Sequence, residues 1–159
     1  MSSDNIIQNL HYWALRKPHD MAVYCDGERL TWGELNKGAE EIAAGLAERG
    51  ITKNKRVGML MRNRLEYIEA ILATLKCGGT IVLLNIRNTA SEMRHPITDA
   101  DLDIIIADEE FLPVIAEVGS YAPRARVITS TPVAGYESIN ADLRLAGGRA
   151  PLVEVNGSD

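Results

Sequence analysis

Four short runs hold most of the residues that could meet a ligand: Arg62-Asn63-Arg64, Asn85-Ile86-Arg87-Asn88, Asp108-Glu109 and Thr129-Ser130-Thr131. Each follows an apolar segment of strand length. Guanidinium groups carry forked donors that match phosphate and carboxylate oxygens, so three arginines gathered at one rim would suit an anionic ligand. Asn85 and Arg87 are the candidate binding pair. A second reading stands beside this one: Asn63 and Thr89 cap helices while the arginines face water. The runs supply neither a nucleophile with its base nor a general acid–base pair, so by themselves they describe binding and not chemistry.

Other motifs fail on their own requirements. Gly33-x4-Gly38 has the front half of a phosphate loop, but Ala39 stands where its lysine would be. No GxGxxG follows any strand, which argues against dinucleotide binding. Asp99-x-Asp101-x-Asp103 with Glu110 has the carboxylate spacing of a calcium loop, yet Ile104 occupies the position that needs glycine. These carboxylates read as a solvated helix end. His11, His19 and His95 lack zinc spacing, and Cys25 and Cys77 lie far apart with no CxxC pair, as for reduced, partly buried thiols. No GxSxG elbow surrounds Ser120. Asn156-Gly157-Ser158 is a formal glycosylation sequon without meaning in a cytosolic chain.

The elements that would position the rim are well marked. Residues 5–16 predict a helix opened by Asn5 with Gln8 three later, carrying Ile6, Leu10, Trp13 and Ala14 on one face. Asp26-Gly27 between two strand-like runs is a type I′ hairpin signal. Thr31-Trp-Gly-Glu34 is a capping box opening a helix whose apolar stripe is Leu35, Ala39, Ile42, Ala43, Leu46 and Ala47, closed at Gly50. Then a unit repeats. Strand Arg56–Met61 leads to a helix capped from Asn63 with Leu65, Ile68, Ile71, Leu72 and Leu75 inward, ending at Gly78-Gly79. Strand Ile81–Leu84 leads to a helix capped by Thr89 and Glu92, and strand Asp103–Ala107 to one capped by Asp108 and ending near Gly119. Arg126–Thr129 is a fourth strand.

Continuously apolar strands separated by helices are buried and parallel. The expected fold is therefore α/β: a Rossmann-like, doubly wound, mainly parallel sheet with helices on both faces, preceded by a helix, a β-hairpin and a helix. Residues 1–130 form this unit. Residues 131–159, with one weak helical pattern, Gly147-Gly148, Pro151 and Asn156-Gly157-Ser158-Asp159, read as a linker.

Composition narrows the class. With 46% hydrophobic and 25% charged residues in 159, the chain is globular and long enough for a core. Seventeen basic residues against 22 acidic ones, without a basic tail or stripe, argue against nucleic acid as a partner. No apolar run approaches the ~20 residues of a transmembrane segment, and Met1-Ser2-Ser3-Asp4 is polar and acidic. A cytoplasmic location is expected.

The ordered series then resembles the opening of the adenylate-forming (AMP-binding) enzymes: acyl-CoA synthetases, peptide-synthetase adenylation domains and luciferases. The residues that carry the resemblance are Pro18 with Ala22-Val23, Gly27, Leu30-Thr31-Trp32, Glu34-Leu35, Ala43, Leu46, Gly50, Val57, Asn63 with Glu66, and Gly78-Gly79. It is most specific at Leu83-Leu84-Asn85-Ile86-Arg87 with Thr89 and Glu92, followed by Asp99 and Ile104–Asp108. It covers roughly residues 6–130. Two departures are Leu83, where the family usually has proline, and Pro96, expected to kink or shorten its helix. The resemblance implies a parent enzyme of acyl-CoA synthetase type. Such an enzyme uses ATP and Mg to convert a small carboxylic acid to an acyl-adenylate, then passes the acyl group to CoA. The family's phosphate loop, adenine motifs and catalytic lysine come later than the segment resembled, so no catalytic residue is placed on this chain and no cofactor is expected to bind it alone. Its expected partner is the remainder of the same polypeptide, with a homodimer as a further option. A stand-alone, non-catalytic interaction module and a peptide-synthetase-type adenylation domain remain the alternatives.

Overall fold

The structure, a computed structural model, describes residues 5–153; Met1–Asp4 and the sequon at Asn156 lie outside the described residues. Helix α1 (Ile6–Arg16) is followed by a hairpin, β1 (Met21–Cys25) and β2 (Glu28–Thr31), and by α2 (Trp32–Glu48). Alternation then sets in: β3 (Arg56–Leu60), α3 (Leu65–Lys76), β4 (Thr80–Leu83), α4 (Ala90–Ala100), β5 (Ile104–Ala107), α5 (Leu112–Val118) and β6 (Arg126–Thr129). A two-residue strand β7 (Glu137–Ser138) and a wide turn, Ile139–Leu143, follow.

Strands β4-β3-β5-β6-β7 form one parallel sheet in that order. Period-two alternation divides the core. Val57, Met59, Ile104, Ile106 and Ile128 face α2 and α3, packing on Ile42, Leu46, Ala70 and Ala73. Leu60, Ile105 and Ala107 face α4 and α5, packing on Met93, Ile97, Ile115 and Val118. Leu10 of α1 joins Leu35, Ala39 and Leu72 in a third cluster beneath the hairpin. Helices thus cover both faces, and the fold is the α/β class that the apolar strands predict.

Local signals hold where a side chain meets its own backbone. Asp26 and Gly27 both take positive φ, 49° and 89°, as a type I′ turn requires. Thr31 with Glu34 and Thr89 with Glu92 form reciprocal capping boxes.

Several expectations are corrected. Asn63 does not cap α3: Arg64 is the N-cap residue, without a side-chain cap bond. Asp108 is not a side-chain cap either, because its carboxylate is engaged across the sheet. The buried face of α3 carries Glu69, Ala70, Leu72, Ala73, Thr74 and Lys76, whereas Leu65, Ile68, Ile71 and Leu75 are half-buried. On α1 only Leu10 is buried; Trp13 lies partly exposed, stacked on Trp32 with ring centroids 6.2 Å apart. Helix α4 runs unshortened through Pro96. Asp101, read as part of a solvated helix end, is the exposed C-cap of α4 and pairs there with Arg124, whereas Asp103 turns to Lys55 and the Arg56 N–H. The segment read as linker adds β7 to the sheet and sinks Ile139 and Leu143 fully into the core.

Candidate functional site

The chain path creates one topological switch. From β3 it crosses to β4 on one side and from β4 returns past β3 to β5 on the other, so the crevice at the carboxyl ends of β3 and β5 is where an open α/β sheet receives ligand. Arg62, Asn63 and Arg64 leave the end of β3, and Asp108 and Glu110 leave the end of β5.

In this chain the crevice is filled by its own charges. Asp108, 6% exposed, accepts the Arg62 backbone N–H at 2.7 Å, Arg64 Nη1 at 2.7 Å and the Ser130 hydroxyl from the end of β6. Arg64 Nη1 donates also to Ser130 Oγ at 2.9 Å. Burial pushes the Asp108 carboxyl up, but the hydrogen bonds from Ser130, Arg62 and Arg64 with the Arg64 charge outweigh it and hold the group below the ordinary aspartate value. Burial likewise opposes the charge on Arg64, and Asp108 with Glu66 overcomes it. Arg64 Nε is buried without a hydrogen bond, 3.3 Å from Glu66 Oε2. Arg62 turns outward, forks onto Glu110 at 2.6 and 2.8 Å and lies over the Phe111 ring.

Two of the three rim arginines are therefore neutralised internally. Arg87 is exposed, and among the described residues it forms no ion pair. The backbone here is set by Asn85, whose Oδ1 accepts the Arg87 N–H at 3.0 Å, closing an Asx turn after β4. Beside that turn lies a shallow depression of about 510 Å³ lined by Asp26, Met61, Arg62, Asn63, Leu84, Asn85 and Ile86. The hairpin tip at Asp26 thus overhangs the ends of β3 and β4.

Of the predicted pair, Asn85 lines the depression and Arg87 stands next to it in sequence, while Asp108-Glu109 and Thr129-Ser130-Thr131 lie on the far side of β3. The mutual pairing of Arg62, Arg64, Asp108, Ser130 and Glu110 is not legible in sequence, because the bonded partners are 22 to 66 residues apart and each has a plausible local role. The rim offers a guanidinium for phosphate oxygens. Among the described residues no three His, Cys, Asp or Glu side chains gather as a metal site. The Cys77 thiol is no nucleophile: burial pushes it up to about 12, and its sulfur donates to the Ala43 carbonyl.

A family model for AMP-binding enzymes matches residues 10–150. The chain belongs to that family. It is 31% identical over 111 residues to a medium/long-chain-fatty-acid–CoA/3-oxocholest-4-en-26-oate–CoA ligase of Mycobacterium tuberculosis, covering 70% of this chain and 20% of the ligase. It is 31% identical over 104 residues to tyrocidine synthase 3 of Brevibacillus parabrevis, covering 65% of this chain and 2% of the synthase. The solved N-terminal domain of FACL13 from Mycobacterium tuberculosis superposes with a TM-score of 0.83 at 26% identity, over 98% of this chain and 40% of that one. This chain thus spans about a fifth of the length of the curated ligase it matches. What it presents of the family is a five-stranded sheet with its carboxyl rim, and no helix among the described residues is long and apolar enough to cross a membrane.

Proposed function

We propose that this chain is the N-terminal α/β portion of a cytoplasmic, acyl-CoA synthetase-type ligase. The whole enzyme would convert a carboxylic acid and ATP, with magnesium, to an acyl-adenylate and pyrophosphate, then form a thioester with CoA. The similarity to a fatty acid–CoA ligase supports a fatty acid as the substrate class. The structural unit is the sheet together with β7 and the buried Ile139–Leu143 turn, and the remainder of the same polypeptide is its principal partner. The single observation behind a role at the rim is the state of its arginines. Arg62 and Arg64 are spent on Glu110 and Asp108, which leaves Arg87 as the rim cation available to an anionic group. Asn85 supports it by fixing the turn, and so acts as a positioning residue.

By itself the 159-residue chain is proposed to be inactive, since its rim provides a binding cation and no nucleophile or acid–base pair. The test is ATP–pyrophosphate exchange, run with a panel of fatty acids on the chain alone and on the polypeptide extended by the rest of its reading frame. Exchange by the extended protein only is expected; exchange by the chain alone overturns the inactivity. A reading frame that stops after Asp159 overturns the ligase reading and favours a stand-alone interaction module.

The similarity to tyrocidine synthase 3 favours a second reading, a peptide-synthetase-type adenylation domain. Exchange dependent on an amino acid, with fatty acids inert, would select it.

A further inference from the structure

The stretch after β7 is fixed along α2 from end to end. Near the end of α2, Arg49 donates to Glu137 Oε1 at 3.0 and 2.7 Å and to the Asp142 carbonyl at 3.1 Å. One turn earlier Gly45 lies so close to Leu143 that a Cβ would stand 2.1 Å from its carbonyl oxygen. Arg144 reaches past Gly38 to fork onto buried Glu69 at 3.1 and 2.6 Å.

Beyond Arg144 the fixings change character. The Glu41 carbonyl accepts the Leu145 N–H at 3.3 Å, and its carboxylate accepts the Gly147 N–H at 3.1 Å. Gly148 rests against Ala44, where a Cβ would come within 2.8 Å of the alanine methyl. Glu40 is shared: Oε2 accepts the Ala150 N–H at 2.6 Å, and Oε1 accepts Lys76 Nζ at 2.5 Å. The Lys76 side chain is only 4% exposed and donates also to Asn36 at 3.1 Å. A buried ammonium needs that carboxylate, and its pull keeps the second oxygen aimed at Ala150. Residues 147–153 form one wall of a groove of about 1050 Å³ whose other walls come from α1, α2 and the end of α3.

No residue from Leu145 to Val153 is buried, whereas Ile139 and Leu143 are wholly buried. Lifting the later stretch therefore breaks a few polar contacts and the edge contacts of Ala150 with the core and of Val153 beside Gly78, but withdraws no fully buried side chain, the condition for local opening. We propose that residues 145–153 are a strap, latched by Glu40 against Lys76 and anchored at Arg144, that lifts from α2 as a unit and opens the groove while the sheet stays folded. The strap is a property of the packing and stands independently of the ligase reading.

Limited trypsin digestion of the intact chain tests it, because Arg149 is an exposed cleavage point inside the strap. Gly148→Val drives a side chain into Ala44 and so unseats the strap without touching the Glu40–Lys76 pair; Glu40→Gln weakens the latch itself. Cleavage after Arg149 is expected to accelerate about tenfold in both variants, with cleavage after Arg56 and Arg126 in the sheet unchanged. Two results overturn the proposal. One is unchanged cleavage at Arg149 in Gly148→Val; the other is cleavage at all three arginines rising together, which would make the stretch part of the global fold. Should Glu40→Gln unfold through its unpaired lysine, Gly148→Val alone decides.

Discussion

A buried carboxylate that accepts from Arg62, Arg64 and Ser130 joins the ends of three strands, so its removal leaves three donors to find new partners. Asp108→Ala is expected to lower stability by about 2–3 kcal/mol, read as a shift of the urea midpoint at constant slope. Arg87→Ala should leave that midpoint unchanged, since the side chain makes no ion pair among the described residues. In the extended ligase it should weaken use of the anionic co-substrate about tenfold in kcat/KM, as for a lost charge-assisted contact. Asn85→Ala should act in the same direction but lose stability as well, because it removes the acceptor for the Arg87 N–H. What separates these residues was only half visible in sequence. Asn85 and Arg87 stand out as polar residues after an apolar strand, and the positional rule for α/β sheets finds them. Asp108 satisfies the same rule, but a residue that looks like a helix cap gives no sign that its oxygens turn to partners 44 and 46 positions away.

At the scale of elements, the chain states its local structure plainly wherever the determinant lies within four residues. Both capping boxes, the hairpin glycine and the buried isoleucines of β5 belong to this class. Thr31→Ala and Thr89→Ala should each cost about 1 kcal/mol in chemical denaturation, as other N-cap removals do. Residues 137–150 escape such reading. A two-residue strand has no period, and Ile139 and Leu143 are buried by α2, nearly a hundred residues earlier. The glycines of α2 are the other side of that contact. Gly45→Ala would gain about 1 kcal/mol of helix propensity. The Cβ would stand 2.1 Å from the Leu143 carbonyl, so the net expectation is a loss of about 2 kcal/mol from overpacking. Gly119→Ala, with open space around it, is the neutral control for that measurement.

At the scale of the whole molecule, the perturbed carboxyl groups among the described residues share one direction. Glu34, Glu40, Glu92, Asp103, Asp108 and Glu110 are all held below their ordinary values. A carboxyl whose folded value is depressed adds stability above its unfolded value and loses it as pH falls through the folded one. Stability should accordingly stay level from neutral pH to about pH 5 and fall steeply below about pH 4, measured as urea midpoints across that range. Asp108→Asn should start lower at neutral pH and fall less steeply in acid.

Both tryptophans of the chain, Trp13 and Trp32, meet in the one stack between α1 and the start of α2, remote from the parallel sheet. Tryptophan emission, excited apart from the five tyrosines, is consequently an optical reporter of that single joint and not of β3, β5 and β6. A thermal scan followed at once by tryptophan emission and by far-ultraviolet dichroism would separate the detachment of the N-terminal helix from the melting of the sheet, without any label.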